Sequence, residues 1–224
     1  MLILAIDTSG RHGSIALCRG DADRFDTLQI TTLEGGTYSA RLIPTISEVL
    51  QQNKVTMTRL DGFAMVSGPG SFTGLRVGLA TVKGLCEVLG KPLVAVSMLE
   101  AIAVTYGAER ESVTAILDAG RGEVYVGDYQ VSLRSATPLR EYITRLNDFD
   151  AAGAGTRELL TPETPVADAL RAKGATVRVV APVQADGIGR IGLRKLPAGE
   201  AVDHAMIDVN YIRRSDAEIF APKR

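Results

Sequence analysis

The chain has 224 residues, of which 46% are hydrophobic, so it can bury a core and is not an intrinsically disordered protein. Its formal net charge of −1 argues against a basic surface that holds nucleic acid by releasing counterions. No apolar run approaches the roughly eighteen residues of a membrane helix, and the opening "MLILAIDTSG" lacks the basic start of a leader, so we expect a cytoplasmic protein.

The first half of the chain predicts a strand meander followed by alternating helices and strands. Short apolar runs predict the strands "LILAI", "SIALC", "RFDTLQITT", "GFAMV" and "LVAVS". Apolar residues at helical spacing predict helices over 38–52, 72–89 and 97–106. Gly90 is the expected C-cap of the second helix. Cys18 and Cys86 lack a Cys or His at ligand spacing and are predicted to be core residues.

The second half opens with a weak copy of the first. "LAIDTSGRHGSIAL" and "AILDAGRGEVYV" both run from a strand through an aspartate, small residues and two glycines into another strand. This repeat predicts two similar lobes, 1–106 and 107–224. Residues 151–199 predict small helices and loops, and "AAGAGTREL" predicts a strand end that turns into a helix.

The glycine-rich stretch "SGPGSFTGLRVGLATVKGL", residues 67–85, fails the spacing of both common nucleotide loops. A Walker loop needs Lys and Ser or Thr directly after its second glycine, but Leu79 and Ala80 follow Gly78. A dinucleotide fingerprint fails because Thr73 stands where the third glycine belongs. Backbone N–H groups at the helix start remain an option for holding an anion.

The helix in this stretch has apolar or small residues on nearly every side. One stripe suffices for docking on the protein's own sheet, whereas the small residues permit the backbone of another helix to approach closely. That neighbouring helix is either residues 38–52 of the same chain or part of another subunit, and we favour another subunit. Only Arg76, Lys83 and Glu87 form a polar strip.

Asp7 and Asp118 each end a strand before a glycine turn, which leaves two interpretations. The carboxylates either face a nucleotide between two lobes or cap their turns through hydrogen bonds to backbone N–H groups. Capping is favoured for Asp118, and both interpretations stay open for Asp7. His12 and His204 have no second histidine at helical spacing, so no metal site is predicted.

Five segments in order along nearly the whole chain resemble the TsaB (YeaZ) family: "ILAIDTS", the glycine-rich block, "ILDAGRGEVYVGDY", "GAGT" and "NYIRR". The resemblance implies an α/β fold of the actin-like and Hsp70-like (ASKHA, RNase H-like) type, with two lobes of mixed sheets flanked by helices. It implies a role in making N6-threonylcarbamoyladenosine (t6A) on the tRNA adenosine 3′ of the anticodon. In that system the paralogue TsaD carries the metal and transfers the threonylcarbamoyl group, and the ATPase TsaE joins the complex.

The resemblance also implies which residues meet a partner. Helices 38–52 and 72–89 would form the TsaD-facing bundle, with Arg76 and Lys83 pairing with acids of the partner. The expected apolar and small contact residues are Tyr38, Leu42, Ile46, Val49, Gly74, Leu75, Gly78, Leu79 and Val82. Tyr38 stands where the family usually has histidine. The candidates to face a nucleotide are Asp7, Thr8, Ser9, Asp118, Gly153 and Gly155.

We therefore expect a non-catalytic scaffold subunit that has no metal and no cofactor of its own. TsaD and TsaE are the expected partners, tRNA is reached only through the complex, and a homodimer is expected when TsaD is missing. ATP or ADP at the junction with TsaD remains an option. The alternative is a nucleotide-dependent phosphotransferase of the same fold, in which Asp7 and the Gly153–Gly155 turn line an ATP cleft. A peptidase is the least favoured alternative, because the sequence shows no recognisable set of nucleophile and base residues.

Overall fold

The computed structural model describes residues 1–21, 23–107, 112–132, 135–150, 157–208 and 212. The chain divides into two compact units. The first combines Met1–Ala101 with Pro182–Val209, and the second contains Ile102–Ala181. Within these described ranges, no helix is both long enough and apolar enough to cross a membrane.

The first unit is a five-stranded mixed sheet with helices in its connections. Its elements are β1 (Leu2–Asp7), β2 (His12–Gly20), β3 (Phe25–Glu34), α1 (Tyr38–Gln52), a 3-10 turn (Met57–Arg59), β4 (Gly62–Gly68), α2 (Phe72–Leu89) and β5 (Leu93–Ser97). The strand order is β3-β2-β1-β4-β5. The first three strands form an antiparallel meander, and β4 and β5 are parallel to β1.

The centre of this sheet is buried on both faces, which explains why β1 is apolar at consecutive positions. Helix α5 (Ala185–Lys195) packs closely on one face. A Cβ at Gly189 would overlap Cys18, and a Cβ at Gly192 would lie 2.6 Å from the Cβ of Ala64. Side chains alternate between the two faces of a strand. Leu4 and its neighbours therefore point to the face opposite α5, where α1 and α2 pack.

The second unit contains another five-stranded mixed sheet. Its elements are β6 (Ser112–Gly120), β7 (Glu123–Ser132), β8 (Ser135–Arg145), β9 (Glu158–Thr161), α4 (Thr164–Arg171) and β10 (Val177–Val179). The order β10-β9-β6-β7-β8, with β6-β7-β8 antiparallel and β9 and β10 parallel to β6, is that of the first sheet. The internal repeat that the sequence predicted is therefore present in the strand topology.

The predicted long helices and the core positions of both cysteines are confirmed. Gly90 is the C-cap of α2 with φ 61°, a left-handed conformation that favours glycine. The helix expected at the end of "AAGAGTREL" is wrong from Glu158 onward, because Leu159 and Leu160 are buried in β9 beside β6. Residues 151–156 lie outside the described residues.

The division into units differs from the predicted boundary in two respects. The change from one unit to the other falls inside α3 (Met98–Tyr106), after Ala101. The segment that begins at Pro182 belongs with the first unit, whereas the sequence placed it in the C-terminal lobe. The physical reason is α5, whose buried glycines allow it to lie directly on the first sheet.

Candidate functional site

The glycine-rich start of α2 packs against the end of β1 within the same unit. A Cβ at Gly74 would lie well under 3.0 Å from the carbonyl oxygen of Thr8, and a Cβ at Gly78 would lie equally close to the Thr8 hydroxyl. The Ser71 N–H donates to the Ser9 carbonyl oxygen at 2.6 Å, and the Ser71 hydroxyl accepts from the Gly74 N–H at 3.3 Å. These glycines therefore serve close packing inside the unit.

Most of the residues predicted to contact a partner lie in the core of the first unit, and their contact with a partner stays a prediction. The side chains concerned are each at most 7% exposed, and Gly74 and Gly78 are buried with them: Tyr38, Leu42, Ile46, Val49, Leu75, Leu79 and Val82. These side chains pack within the unit, which leaves little of their surface for contact with another protein. The surface that α1 and α2 offer is therefore the opposite side of the same two helices.

Tyr38, at the position where histidine was expected, is an internal anchor. Its hydroxyl donates to the carbonyl oxygen of Gly10 at 2.8 Å, and its ring lies where a Cβ at Gly13 or Gly74 would be. Burial raises the pKa of Tyr38 to about 12, and the negative charge of Asp7 adds to this shift. The phenol is therefore neutral near pH 7 and acts as a hydrogen-bond donor.

The two basic residues predicted to pair with a partner differ in their surroundings. Arg76 is exposed, and its guanidinium carbon lies 3.8 Å from the centroid of the Phe72 ring. The Nζ atom of Lys83 lies 3.1 Å from each of two carbonyl oxygens of the same unit, those of Ala205 and Ile207. Arg76 therefore remains a candidate for a partner contact, whereas Lys83 is held within the chain.

An exposed strip runs along α1 and α2, and it contains large apolar side chains. Val88 is 83% exposed, Ile43 48% and Phe72 39%. A Cβ at Gly84 would meet no atom within 4 Å, so the helix backbone is open to solvent there. We call this strip the α1–α2 face and define it as Ile43, Phe72, Arg76, Ala80, Gly84 and Val88.

The sequence alone shows the spacing of the α2 residues in this strip. Phe72, Arg76, Ala80, Gly84 and Val88 follow one another at intervals of four, so each neighbours the next on the helix, and at about 100° per residue the row winds by about 40° per step across the exposed half of α2. Sequence reasoning instead placed the contact on the glycines and leucines. Both sides of α2 are rich in small or apolar residues, and only the structure shows which side meets the sheet.

A pocket of about 590 Å³ opens in the first unit where α1 and α2 begin. Its lining contains hydroxyl groups, glycine backbone, one guanidinium and no carboxylate: Ser9, Gly10, Arg11, Gly35, Gly36, Tyr38, Ser39, Ser71, Thr73, Gly74 and Val77. Neither helix has an acidic residue in its first turn. The positive ends of two helix dipoles and the guanidinium of Arg11 therefore favour the binding of an anion in this pocket.

Of the predicted nucleotide-facing residues at and just after the end of β1, namely Asp7, Thr8 and Ser9, only Ser9 lines this pocket. Asp7 is buried, and one of its oxygens accepts from the Ser9 N–H at 2.8 Å and from the Ser9 hydroxyl at 2.6 Å. Burial raises the pKa of Asp7, and the two hydrogen bonds oppose that shift. Thr8 is buried against Gly74 and Gly78. Asp7 therefore caps its own turn, which was one of its two interpretations.

In the second unit, Asp118 also holds a turn. Its carboxylate accepts from the Gly120 N–H at 2.8 Å, and its own N–H donates to the Glu163 carboxylate at 2.5 Å. Burial raises the pKa of Glu163, and the nearby charge of Asp118 adds to this, although the hydrogen bond opposes it. The predicted candidates Gly153 and Gly155 lie outside the described residues.

The described part of the chain contains no group of three or more His, Cys, Asp or Glu residues that could hold a metal ion. Burial raises the pKa of the Cys18 thiol to about 12 and that of Cys86 to about 11, so neither is a thiolate near pH 7. His204 lies 2.9 Å from Glu87 on the surface.

Comparison with known proteins gives consistent results. A family model described as "TsaD: tRNA N6-adenosine threonylcarbamoyltransferase" matches residues 34–196. The "tRNA threonylcarbamoyladenosine biosynthesis protein TsaB" of Bacillus subtilis (strain 168) is 38% identical over 130 residues, which cover 58% of this chain and 56% of the relative. The protein of the same name from Escherichia coli (strain K12) is 34% identical over 134 residues, which cover 58% and 55%. The chain thus spans about half the length of these curated relatives.

A solved structure matches over nearly the full length of both chains. "YeaZ from Pseudomonas aeruginosa" is 25% identical, covers 94% of this chain and 100% of its own, and has a TM-score of 0.72. A second structure from the same organism, titled as similar to peptidase YeaZ, is 26% identical with the same TM-score and covers 95% and 99%. The expected ASKHA-like α/β fold, with mixed sheets flanked by helices, is confirmed.

Proposed function

Because this chain belongs to the TsaD family and is a member of its TsaB (YeaZ) group, we propose that it takes part in forming t6A on tRNA. In this proposal it is a non-catalytic subunit that binds a catalytic TsaD protein and maintains its active arrangement. The α1–α2 face is the surface that meets this partner. TsaE joins the same complex in the cytoplasm, and a homodimer through this face replaces the heterodimer when TsaD is missing.

The observation that carries the proposal is the exposure of large apolar side chains on two neighbouring helices. Ile43, Phe72 and Val88 are among the most exposed large hydrophobic side chains in the described residues. Large exposed apolar side chains on helices that contact each other are typical of a protein–protein contact surface. The exposed backbone at Gly84 permits a partner helix to approach closely.

The charge of the chain supports an indirect contact with tRNA. With a net charge of −1, it has no excess of cations with which to bind phosphate backbones. The partner therefore supplies most of the grip on tRNA in this proposal.

We also propose that an anionic group, such as the phosphates of ATP or ADP, binds at the partner junction in the pocket beside α1 and α2. The pocket chemistry fits this group because hydroxyls, Arg11 and two helix N-termini face it and no carboxylate lines it. Bound there, phosphate would add negative charge beside Arg11. Asp7 and Thr8 are buried behind Ser9 and Gly74 of the pocket wall and do not line the pocket.

The proposed function is tested by reconstitution. The TsaD protein, TsaE, tRNA, ATP and the threonylcarbamoyl donor system are combined with and without this chain, and t6A is quantified. We expect modification only when the chain is present, and none when the chain replaces TsaD. Full modification without the chain would contradict the proposal. Modification by the chain alone would instead support the alternative of an active enzyme.

A further inference from the structure

The segment that follows α5 lies along α2. The N–H of Val202 donates to the carbonyl oxygen of Leu93 at 2.8 Å, which bridges this segment to β5. A turn follows, in which the Asp203 carboxylate accepts from the Ala205 N–H at 2.9 Å. The Asp203 carbonyl oxygen closes the turn by accepting from the N–H groups three and four residues later, at 3.1 and 2.9 Å. We call residues 202–207 the C-terminal strap.

The strap contacts α2 at two points one helical turn apart. The Nζ atom of Lys83 donates to the carbonyl oxygens of Ala205 and Ile207, both at 3.1 Å. The Nε2 atom of His204 lies 2.9 Å from a carboxylate oxygen of Glu87. Residues four apart lie on the same side of a helix, so both contacts hold one flank of α2.

The C-terminal half of α2 is only partly buried. Gly84, a poor helix former, lies in its interior, and no atom would contact a Cβ there. Val88 is largely exposed, and Cys86 is the one fully buried residue after Val82 in this described helix. Leu85 is half-buried. The contacts of the strap therefore add polar support to a half-helix whose fully buried anchors are Val82 and Cys86.

We propose that the C-terminal strap is a conformational device that fixes the C-terminal half of α2 and can release it. The bonds that hold it are polar and near the surface, with the Glu87 side chain 76% exposed, so each is weak. Release of the strap would loosen the backbone around Gly84 and Val88. This inference rests on the proposed function in one respect, namely that the α1–α2 face is the partner surface.

Hydrogen exchange on the isolated chain tests the strap directly. Lys83→Met keeps the length of the side chain and removes both bonds to the strap. We expect amide exchange in the strap and in residues 83–89 to become about tenfold faster, as for the loss of charge-assisted hydrogen bonds. Exchange in β4 should not change. Lys91→Met is the matched control, because it removes a lysine just beyond α2 that none of the described strap contacts involves.

The outcomes separate this inference from the proposed function. If amide exchange is unchanged in Lys83→Met, or is accelerated equally in Lys91→Met, the proposal that the strap fixes α2 is overturned. If exchange accelerates, affinity for the TsaD partner should fall about tenfold, since α2 must be ordered again on binding. Faster exchange with unchanged affinity overturns the link between strap and partner face. A wild-type chain that fails to bind the partner contradicts the proposed function, while the exchange result still decides whether the strap holds α2.

Discussion

The two sheets have the same strand order, and the units differ in the helices that their connections carry. Between the parallel strands β4 and β5 the chain forms α2, which has 18 residues, whereas α4 between β9 and β10 has 8. The first unit also has the 15-residue α1 before β4. The shared topology explains the fold, and the added helices explain why the exposed apolar strip lies in the first unit.

The aspartates that end the first strand of each sheet show the same contrast. Asp7 is buried where α2 packs over the end of β1, whereas Asp118 is exposed and caps a glycine turn. Both carboxylates hold turns through backbone N–H groups. The same local sequence pattern therefore gives similar turns, and the neighbouring helix decides whether the carboxylate is buried.

The largest expected effect comes from filling the space between α2 and β1. Gly74→Ala places a methyl group against the Thr8 carbonyl oxygen, which is backbone and cannot move aside easily. We expect the free energy of unfolding to fall by about 3 kcal/mol, as for an overpacked core. Urea unfolding measures this. A wild-type midpoint for the variant would contradict the close packing of α2 on β1.

A buried carboxylate in the second unit should have an intermediate effect that depends on pH. Asp128 accepts from the Thr114 hydroxyl at 2.6 Å and pairs with Arg140 and Arg157. Burial acts to raise the pKa of Asp128, but the hydrogen bonds and arginine charges outweigh it, and the pKa is lowered. Asp128→Asn should lose about 2 kcal/mol at pH 7.

The sign of the pH dependence distinguishes the two units. A lowered pKa means that the ionised carboxylate stabilises the fold above the ordinary pKa of 3.8, and that this stability is lost as the pH falls through the folded-state pKa. The deficit of Asp128→Asn should therefore shrink in acid. Burial raises the pKa of Asp7, so the deficit of Asp7→Asn should grow as the pH falls toward 3.8. Chemical unfolding from pH 7 to well below pH 3.8 measures both, and parallel trends would contradict the contrast.

The smallest expected effect is a gain in stability at the exposed glycine of α2. Gly84→Ala adds a methyl group into open space, in contrast to Gly74→Ala in the same helix. We expect up to about 1 kcal/mol of stabilisation from the better helix propensity of alanine. A clear loss of stability on thermal unfolding would show that Gly84 is also packed against its own chain.

Much of the fold was predictable because its signals are local. The apolar period located α1 and α2, Gly90 marked the end of α2, and the Asp-glycine repeat anticipated two sheets of the same topology. The strand β9 was missed because its four residues carry too short a pattern, and its parallel pairing with β6 is a long-range contact. The packing of α5 on the first sheet was missed for the same reason, because it too is a long-range contact.

The sequence located α1 and α2 but did not show which side of each helix is buried. A helix with small or apolar residues nearly all round gives no sequence signal for which side meets the sheet. Thr8 decides this, because its backbone and hydroxyl fill the space beside Gly74 and Gly78. The side that carries Ile43 and Val88 is exposed.

The most direct measurement of the central claim is the affinity of the TsaD partner for Ile43→Glu, a change on the α1–α2 face. Leu139→Glu is the matched control, because Leu139 is an exposed apolar residue on β8 of the second unit. The account predicts at least about tenfold weaker binding for Ile43→Glu, since a charge enters a desolvated contact, with wild-type affinity for Leu139→Glu. Wild-type affinity for Ile43→Glu, or equal weakening by both variants, would contradict it.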